Sequence, residues 1–338
     1  MIRESILSLS NKENLSYQTA ELVMDEIMGG VATPVQISAY LTALNMKGET
    51  IDEITASAAG MRKHCVRLLH DIDALEIVGT GGDGANTFNI STTASIIVAA
   101  CGVPIAKHGN RAATSKCGAA DVLEALGVNI DIAPERSAEM LKSIGICFLY
   151  AQNYHIAMKH VAPIRRELPN KTVFNILGPL TNPAGAQMEL LGVYDSDLLE
   201  PLARVMCNLG VKSAMVVHGE DGIDEISACA PTMVCEVRNG WTRSYTITPE
   251  QFGFERSNKA DIEGGIPTEN AAILRNILNG ERGAKRNAAV LNAAAALYIA
   301  GKADSIELCV KIAEEAIDSG RAALKLNEFI RYSNDGVI

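Results

Sequence analysis

No two of the eight cysteines, at 65, 101, 117, 147, 207, 229, 235 and 309, are spaced as Cys-x-x-Cys, and several lie in apolar runs. The pattern excludes a disulfide framework and a zinc ribbon, and leaves reduced core thiols of the kind expected in a cytoplasmic protein. Positive charge is also scarce: 30 Lys and Arg stand against 40 Asp and Glu, a net charge of -10. Broad attraction to nucleic acid or anionic lipid is therefore not expected, and any phosphate site must be a local basic island. No apolar run is long enough to span a bilayer. The opening MIRESILSLSNKENLS lacks the continuous apolar core of a secretory signal. Internal repeats, low-complexity linkers and a GxxxxGK[ST] phosphate loop are missing as well. What is present is 338 residues with 48% hydrophobic and 21% charged content, enough for one large or two smaller globular domains.

Residues 1 to about 70 read as helix throughout. Leu15, Ala20, Leu22, Val23, Ile27 and Met28 recur at helical spacing, and Gly29-Gly30 stops them. Thr33-Pro34 opens the next helix as cap and first-turn proline, and Lys47-Gly48 closes it. Thr50 caps a third, with Glu53 as capping-box partner. From Leu75 strands alternate with helices. The predicted strands are Leu75–Val78, Pro104–Lys107, Val128–Ile130, Ile146–Ala151, Glu189–Tyr194 and Ser213–His218, followed by a hairpin of Thr232–Arg238 and Thr242–Ile247 around Asn239-Gly240. Predicted helices are Ser91–Cys101, Gly118–Leu126, Pro134–Ile144, Tyr154–Leu168, Leu198–Leu209, Ala284–Ala300 and Ser305–Leu324. The alternation predicts an α/β class: a small all-helical N-terminal domain on a large domain with a mostly parallel central sheet.

Four stretches carry chemistry. LEIVGTGGDGANTFNISTTAS, Leu75 to Ser95, reads as strand, glycine turn and hydroxyl-rich helix start. Glycine backbone can approach an anion closely, and the free N–H groups of a helix start attract it. Gly79-x-Gly81-x-x-Gly84 also matches the dinucleotide fingerprint. That fingerprint needs an acidic residue about 20 positions on, whereas Lys107-His108-Gly109-Asn110-Arg111 brings positive charge. KHGNRAATSKCG gathers Lys107, His108, Arg111 and Lys116 with Thr114 and Ser115; alone it is either a phosphate loop or a solvated basic turn. HGEDGIDE places Asp224 beside Glu225 after a strand, as an exposed acidic turn or an oxygen-ligand site for Mg²⁺. Arg165, on the helix with His155, Met158, His160 and Arg166, is either a surface charge or a carboxylate clamp.

PVQISAYLTALNMKGET, VGTGGDGANTFNISTTAS, KHGNR with ADVLEALG, NILGPLTNP and HGEDGIDEIS follow one another in the order found in anthranilate phosphoribosyltransferases, and the chain resembles that family along almost its whole length. The resemblance implies a nucleoside-phosphorylase-like fold. Residues 1–72 would form a helical domain completed by about 168–188, and residues 73–338 an α/β domain that binds phosphoribosyl diphosphate (PRPP). It implies a cytoplasmic homodimer acting in tryptophan biosynthesis on PRPP and anthranilate, with Mg²⁺, as two ions, and with no membrane or nucleic-acid partner.

Carried over residue by residue, it assigns PRPP to Gly79, Gly82, Asp83, Thr87, Asn89, Ile90, Ser91, Thr92, Lys107, His108, Gly109, Asn110, Arg111, Ala112, Ala113, Thr114, Ser115 and Ala119. Anthranilate falls to Gly79, Asn110 and Arg165, with His108, His155 and Pro179 nearby, and the metal to Ser91, Asp224 and Glu225. Ala119 stands where the family commonly has serine. No general acid or base is assigned; Lys107 and Arg165 contribute by electrostatics and positioning. Two alternatives differ in kind. A pyrimidine nucleoside phosphorylase would use inorganic phosphate without a metal pair. A non-catalytic nucleic-acid-binding relative would need an extended basic surface.

Overall fold

The computed structural model describes residues 1–112 and 115–335, so Ala113 and Thr114, two of the expected PRPP positions, lie outside the described residues. The chain opens with four helices: α1 (Ile2–Ser10), α2 (Tyr17–Met28), α3 (Pro34–Lys47) and α4 (Ile51–Lys63). Both expected starts are built as the side chains require. The Thr33 hydroxyl accepts from the Gln36 N–H, Gln36 reaches back to the Thr33 N–H, and Thr50 and Glu53 repeat the exchange on α4. Glu53 is fully buried and takes two more partners, the Leu15 N–H at 2.8 Å and the Lys47 ammonium at 2.7 Å. Removing Lys47 would leave a buried charge uncompensated, a loss of about 3–5 kcal/mol.

The remaining described elements are β1 (Leu75–Gly79), α5 (Ile90–Ala100), β2 (Ile105–Gly109), α6 (Ala119–Leu126), α7 (Pro134–Ile144), β3 (Ile146–Tyr150), α8 (Ala151–Tyr154), α9 (Ala162–Glu167), α10 (Phe174–Leu177), β4 (Met188–Gly192), α11 (Leu199–Asn208), β5 (Ser213–Gly219), β6 (Thr232–Arg238), β7 (Trp241–Ile247), α12 (Pro267–Leu278), α13 (Ala284–Ile299), α14 (Ile306–Asp318) and α15 (Arg321–Asn334). One sheet runs in the order β3-β2-β1-β4-β5-β6-β7, parallel from β3 to β5 and antiparallel through the β6–β7 hairpin. Its strands alternate between two cores. Leu190, Met215 and Val217 point toward α5, α13 and the C-terminal helices. Leu191, Ala214 and Val216 point toward α11 and the N-terminal helices. Val161, Phe174, Leu177 and Leu180, far along the chain, pack with Ile27, Tyr40 and Leu44 in that second core.

Three expected elements differ. Val128–Ile130 is not a strand. Val128 closes α6 by donating to the Leu123 carbonyl, and Asn129 donates to the Ser333 hydroxyl of α15, so the apolar side chains are buried against a helix. Tyr154–Leu168 is not one helix. His155 leaves helical geometry at φ -105°, ψ 58°, and a 3-10 turn, Ile156–His160, separates α8 from α9, whose first turn holds Pro163. Ser305–Leu324 is divided into α14 and α15 at Gly320, which adopts φ 77°.

Candidate functional site

The site lies beyond the carboxyl ends of β1, β2, β4 and β5, where parallel sheets of this kind bind ligands. Gly79 ends β1 directly opposite Gly192, the end of β4. Both must be glycine because the Asp224 segment crosses them: a Cβ on Gly79 would sit 2.3 Å from Asp224 Oδ2, and one on Gly192 1.6 Å from the Asp224 carbonyl. Past β1 the chain turns through Gly81, Gly82 and Gly84, all with φ near 70°. The Gly81 N–H donates to Asp224 Oδ2 at 2.6 Å, which fixes the turn against the acidic segment. Asp83 closes on the same place, its Oδ2 accepting from the Asp224 N–H at 3.4 Å.

Helix α5 begins over this turn. Its Ser91 N–H donates to Glu225 Oε1 at 3.2 Å. Lys107, in the middle of β2 and nearly inaccessible, donates to the Ile77 carbonyl at 2.7 Å and to Ser91 Oγ at 3.3 Å. Ser91, Lys107, Asp224 and Glu225, distant in sequence, therefore form one cluster. Burial dominates its electrostatics. Burial first, then Asp83 and Glu225, holds the Asp224 carboxyl well above its ordinary range. Burial lifts Glu225 to about 7 although Lys107 opposes the rise, and burial lowers Lys107 to about 8.

The second loop is tied to the first. The Asn89 amide donates to the Cys117 carbonyl at 3.2 Å, and Asn89 Oδ1 accepts from Asn270 at 2.9 Å. Asp121 holds the loop's own shape by accepting from the Ala112 and Gly118 N–H groups at 2.8 and 2.9 Å. Gly118 admits no side chain, since a Cβ would meet the Ala112 nitrogen at 2.4 Å. Arg111 braces the same loop, its guanidinium pairing with Glu124 and Asp121 and donating to the Tyr150 hydroxyl. Asn110 accepts from the Arg111 N–H through its side chain and from the Ala120 N–H through its carbonyl. Ala119 faces Gly109, whose added Cβ would lie 3.2 Å from its own. Ser115 is exposed at the loop's rim, and the Thr92 hydroxyl is buried without a partner. Thr87 bridges to Glu263, and Ile90 is the first residue of α5.

Toward the helical side the chemistry changes. The rings of His108 and His155 meet at a tilt of 56°, with 5.0 Å between their centroids. Burial pushes His108 down to about 3 and His155 to about 4, so both are neutral at physiological pH. One bonds the Gly178 backbone and the other the Thr181 backbone, on either side of buried Pro179, while each Nε2 stays unpartnered. Arg165, half-buried on α9, lies 5.8 Å over the Phe174 ring, and burial lowers its basicity.

The motifs leave out several residues that shape the site. Glu76 and Glu189 are register partners on β1 and β4, both buried, and both carboxyls are raised, by burial first. Glu76 accepts from the His108 N–H at 3.1 Å, and Arg62 of α4 donates to the Leu180 carbonyl at 2.8 Å. An acidic residue in an apolar strand was the available signal for Glu76 and Glu189. Asp121, three residues after Gly118, carried the spacing of a capping partner. Asn270 carried none.

The glycosyl transferase family pattern matches this chain twice, its helical bundle domain over residues 3–65 and its a/b domain over residues 71–323. The anthranilate phosphoribosyltransferase of Methanobrevibacter smithii is 64% identical over 334 residues, which span 99% of this chain and 100% of that protein. The crystal structure of the Thermus thermophilus enzyme of that name superposes with a TM-score of 0.93 at 43% identity, covering 98% of this chain and 99% of the other. The Saccharomyces cerevisiae enzyme in complex with PRPP and Mg gives 0.88 at 29% identity with 98% of both chains covered. The same yeast enzyme has been solved with 4-fluoroanthranilate, at a TM-score of 0.87, 27% identity and 98% of both chains. These likenesses leave no support for a nucleoside phosphorylase or a nucleic-acid-binding relative. The chain belongs to the anthranilate phosphoribosyltransferase family of glycosyl transferases.

Proposed function

We infer that this enzyme transfers the 5-phosphoribosyl group of PRPP to the amine of anthranilate, giving N-(5-phosphoribosyl)anthranilate and diphosphate in tryptophan biosynthesis. The observation that carries this reading is the meeting of Ser91, Lys107, Asp224 and Glu225 at the carboxyl end of the sheet. Its most direct test is to mix the protein with anthranilate, PRPP and Mg²⁺ and follow anthranilate fluorescence. Loss of signal that requires all three is expected; a steady signal at high enzyme concentration would overturn it.

In this reading the turn at Gly79, Gly82 and Asp83, the start of α5 at Asn89 to Thr92, and the Lys107–Ser115 loop hold PRPP. Mg²⁺ is the cofactor, and two ions are proposed. The donor set fits a hard cation: the Ser91 hydroxyl with Asp224 and Glu225, oxygen only, next to Asp83, with burial and then the Asp83 charge raising both carboxyls. Among the described residues no three His, Cys, Asp or Glu side chains form a closed metal cage. Magnesium shared with substrate phosphates does not require one. When bound it neutralises charge on the diphosphate. Lys107 adds a fixed positive charge where the diphosphate departs, and the α5 N-terminus adds its dipole.

Arg165 is proposed to clamp the anthranilate carboxylate through two parallel hydrogen bonds. Asn110, His108, His155 and Pro179 complete that end. The two histidines remain neutral. The aniline nitrogen attacks uncharged, and the proton it sheds as the new bond forms passes to water or to the departing diphosphate. Positioning and electrostatics then supply the rate.

The same reading divides the chain near residue 72, with about 168–188 completing the helical unit; the packing of Phe174, Leu177 and Leu180 among α2–α4 supports this. It also makes the enzyme a homodimer. A groove of about 1240 Å³ on the helical unit is lined by Ile6, Val35, Ala39, Met46 and Ile164, with Val35 and Met46 exposed. Sedimentation should show a dimer that Val35→Asp weakens; a monomeric parent protein would sink the assignment. Among the described residues no helix is long and apolar enough to cross a membrane.

A further inference from the structure

Lys171 belongs to none of the motifs. It lies between α9 and α10, on the segment that packs into the helical core, and its residue surface is exposed. Its ammonium nevertheless reaches across to the sheet side and sits 3.0 Å from the centroid of the Tyr194 ring. Tyr194 follows β4 and is bound to the glycine turn. Its N–H donates to Thr80 Oγ1 at 3.2 Å, and the Thr80 N–H donates to the Gly192 carbonyl at 2.9 Å. Asp195, Asp83 and Asp224 attract the ammonium from that side.

Two other cations of the site are already engaged. Lys107 bonds Ile77 and Ser91, and Arg111 is braced by Glu124 and Asp121. The direct partner of Lys171 is a ring face, which holds an exposed ammonium weakly. A flexible four-carbon stem lets that charge move to a stronger anion. The carboxylates that attract Lys171 would repel an incoming diphosphate, so a mobile cation beside them offsets their charge.

We propose that Lys171 is a further ligand of the donor's diphosphate: on binding, its ammonium leaves the Tyr194 ring for a diphosphate oxygen. This rests on the donor site described above.

The proposal is tested by calorimetric titration of Mg²⁺ with inorganic diphosphate into the parent enzyme, Lys171→Ala and Lys171→Arg, with steady-state KM values for both substrates. Lys171→Ala should weaken diphosphate binding and raise the PRPP KM by ~10-fold, the size of one lost charge-assisted hydrogen bond. The anthranilate KM should stay within about twofold in the same variant, because no uniform loss of fold or closure is involved. Lys171→Arg should restore most of the affinity. A parent that binds diphosphate and PRPP, matched by Lys171→Ala, overturns the role of Lys171 alone. A parent that binds neither overturns the donor site and Lys171 with it. Equal rises in both KM values would make Lys171 a structural residue and also overturn the proposal.

Discussion

The two ends of the cleft are built on opposite principles. At the sheet end, charged side chains are buried and bonded to backbone: Lys107 to Ile77, Asp224 to Gly81, Glu225 to Ser91. At the helical end, the titratable rings of His108 and His155 are stripped of charge, and Arg165 rests over a phenyl ring. The first end is rigid because strands set it and glycines at 79 and 192 allow the acidic segment to pass. The second is assembled from short turns, Ile156–His160 and Pro179–Thr181, borrowed from the helical unit. A fixed electrostatic end suits a departing anion. An end of neutral rings around the single Arg165 cation suits an uncharged amine that carries one carboxylate.

Breaking the sheet end should have the largest effect. Asp224→Ala with Glu225→Ala should lower turnover by about a thousandfold while the fold persists, because the developing charge on diphosphate loses its counterion. Circular dichroism and the fluorescence assay under saturating substrates check both halves; an unchanged rate at limiting Mg²⁺ would contradict it. Breaking the helical end should be milder and selective. Arg165→Ala should raise the anthranilate KM by roughly 10- to 100-fold and leave the PRPP KM nearly unchanged, as expected for a lost carboxylate clamp. The reverse split would contradict the role.

The smallest effect sharpens the contrast in charge. An unfolded histidine takes a proton near pH 6.5, whereas folded His108 and His155 decline one until about 3 and 4. At these two rings the unfolded state therefore binds more protons below pH 6.5, and their contribution to stability falls as pH drops from there toward 4. The slope is roughly 1.4 kcal/mol per pH unit for each ring. The raised carboxyls of Glu76, Glu189, Asp224 and Glu225 act in the opposite sense, so the rings are read by difference. Between pH 7 and pH 5 in urea unfolding, the parent should lose about 2 kcal/mol more than His155→Gln. A difference that does not change with pH would mean the His155 ring is charged or exposed.

Much of this was legible in sequence where local chemistry decides structure. Thr33-Pro34 and Thr50 with Glu53 announce helix starts, and Thr232–Arg238 and Pro134–Ile144 have the ends their residues suggest. The placement of Lys107 on a strand and of the Asp224–Glu225 pair after one followed from the α/β alternation, although β2 runs two residues past Lys107. Legibility failed where distant partners decide. Val128–Ile130 has strand residues, but the surface available to it is α15. His155 interrupts a helical pattern, its ring buried against His108 and bonded to the Thr181 backbone. Glu76 and Glu189 read as ordinary strand positions until the register sets them side by side. Arg111 reads as a cation of its loop, and its pairing with Glu124 appears only in the fold. Each of these outcomes depends on a neighbour that sequence spacing does not name.

The most direct measurement is a crystal structure of this enzyme soaked with PRPP and Mg²⁺. The account predicts the diphosphate between the start of α5 and Lys107, with metal held by Ser91, Asp224 and Glu225. Diphosphate found away from the β1 and β2 carboxyl ends, or those carboxylates turned from the metal, would contradict it.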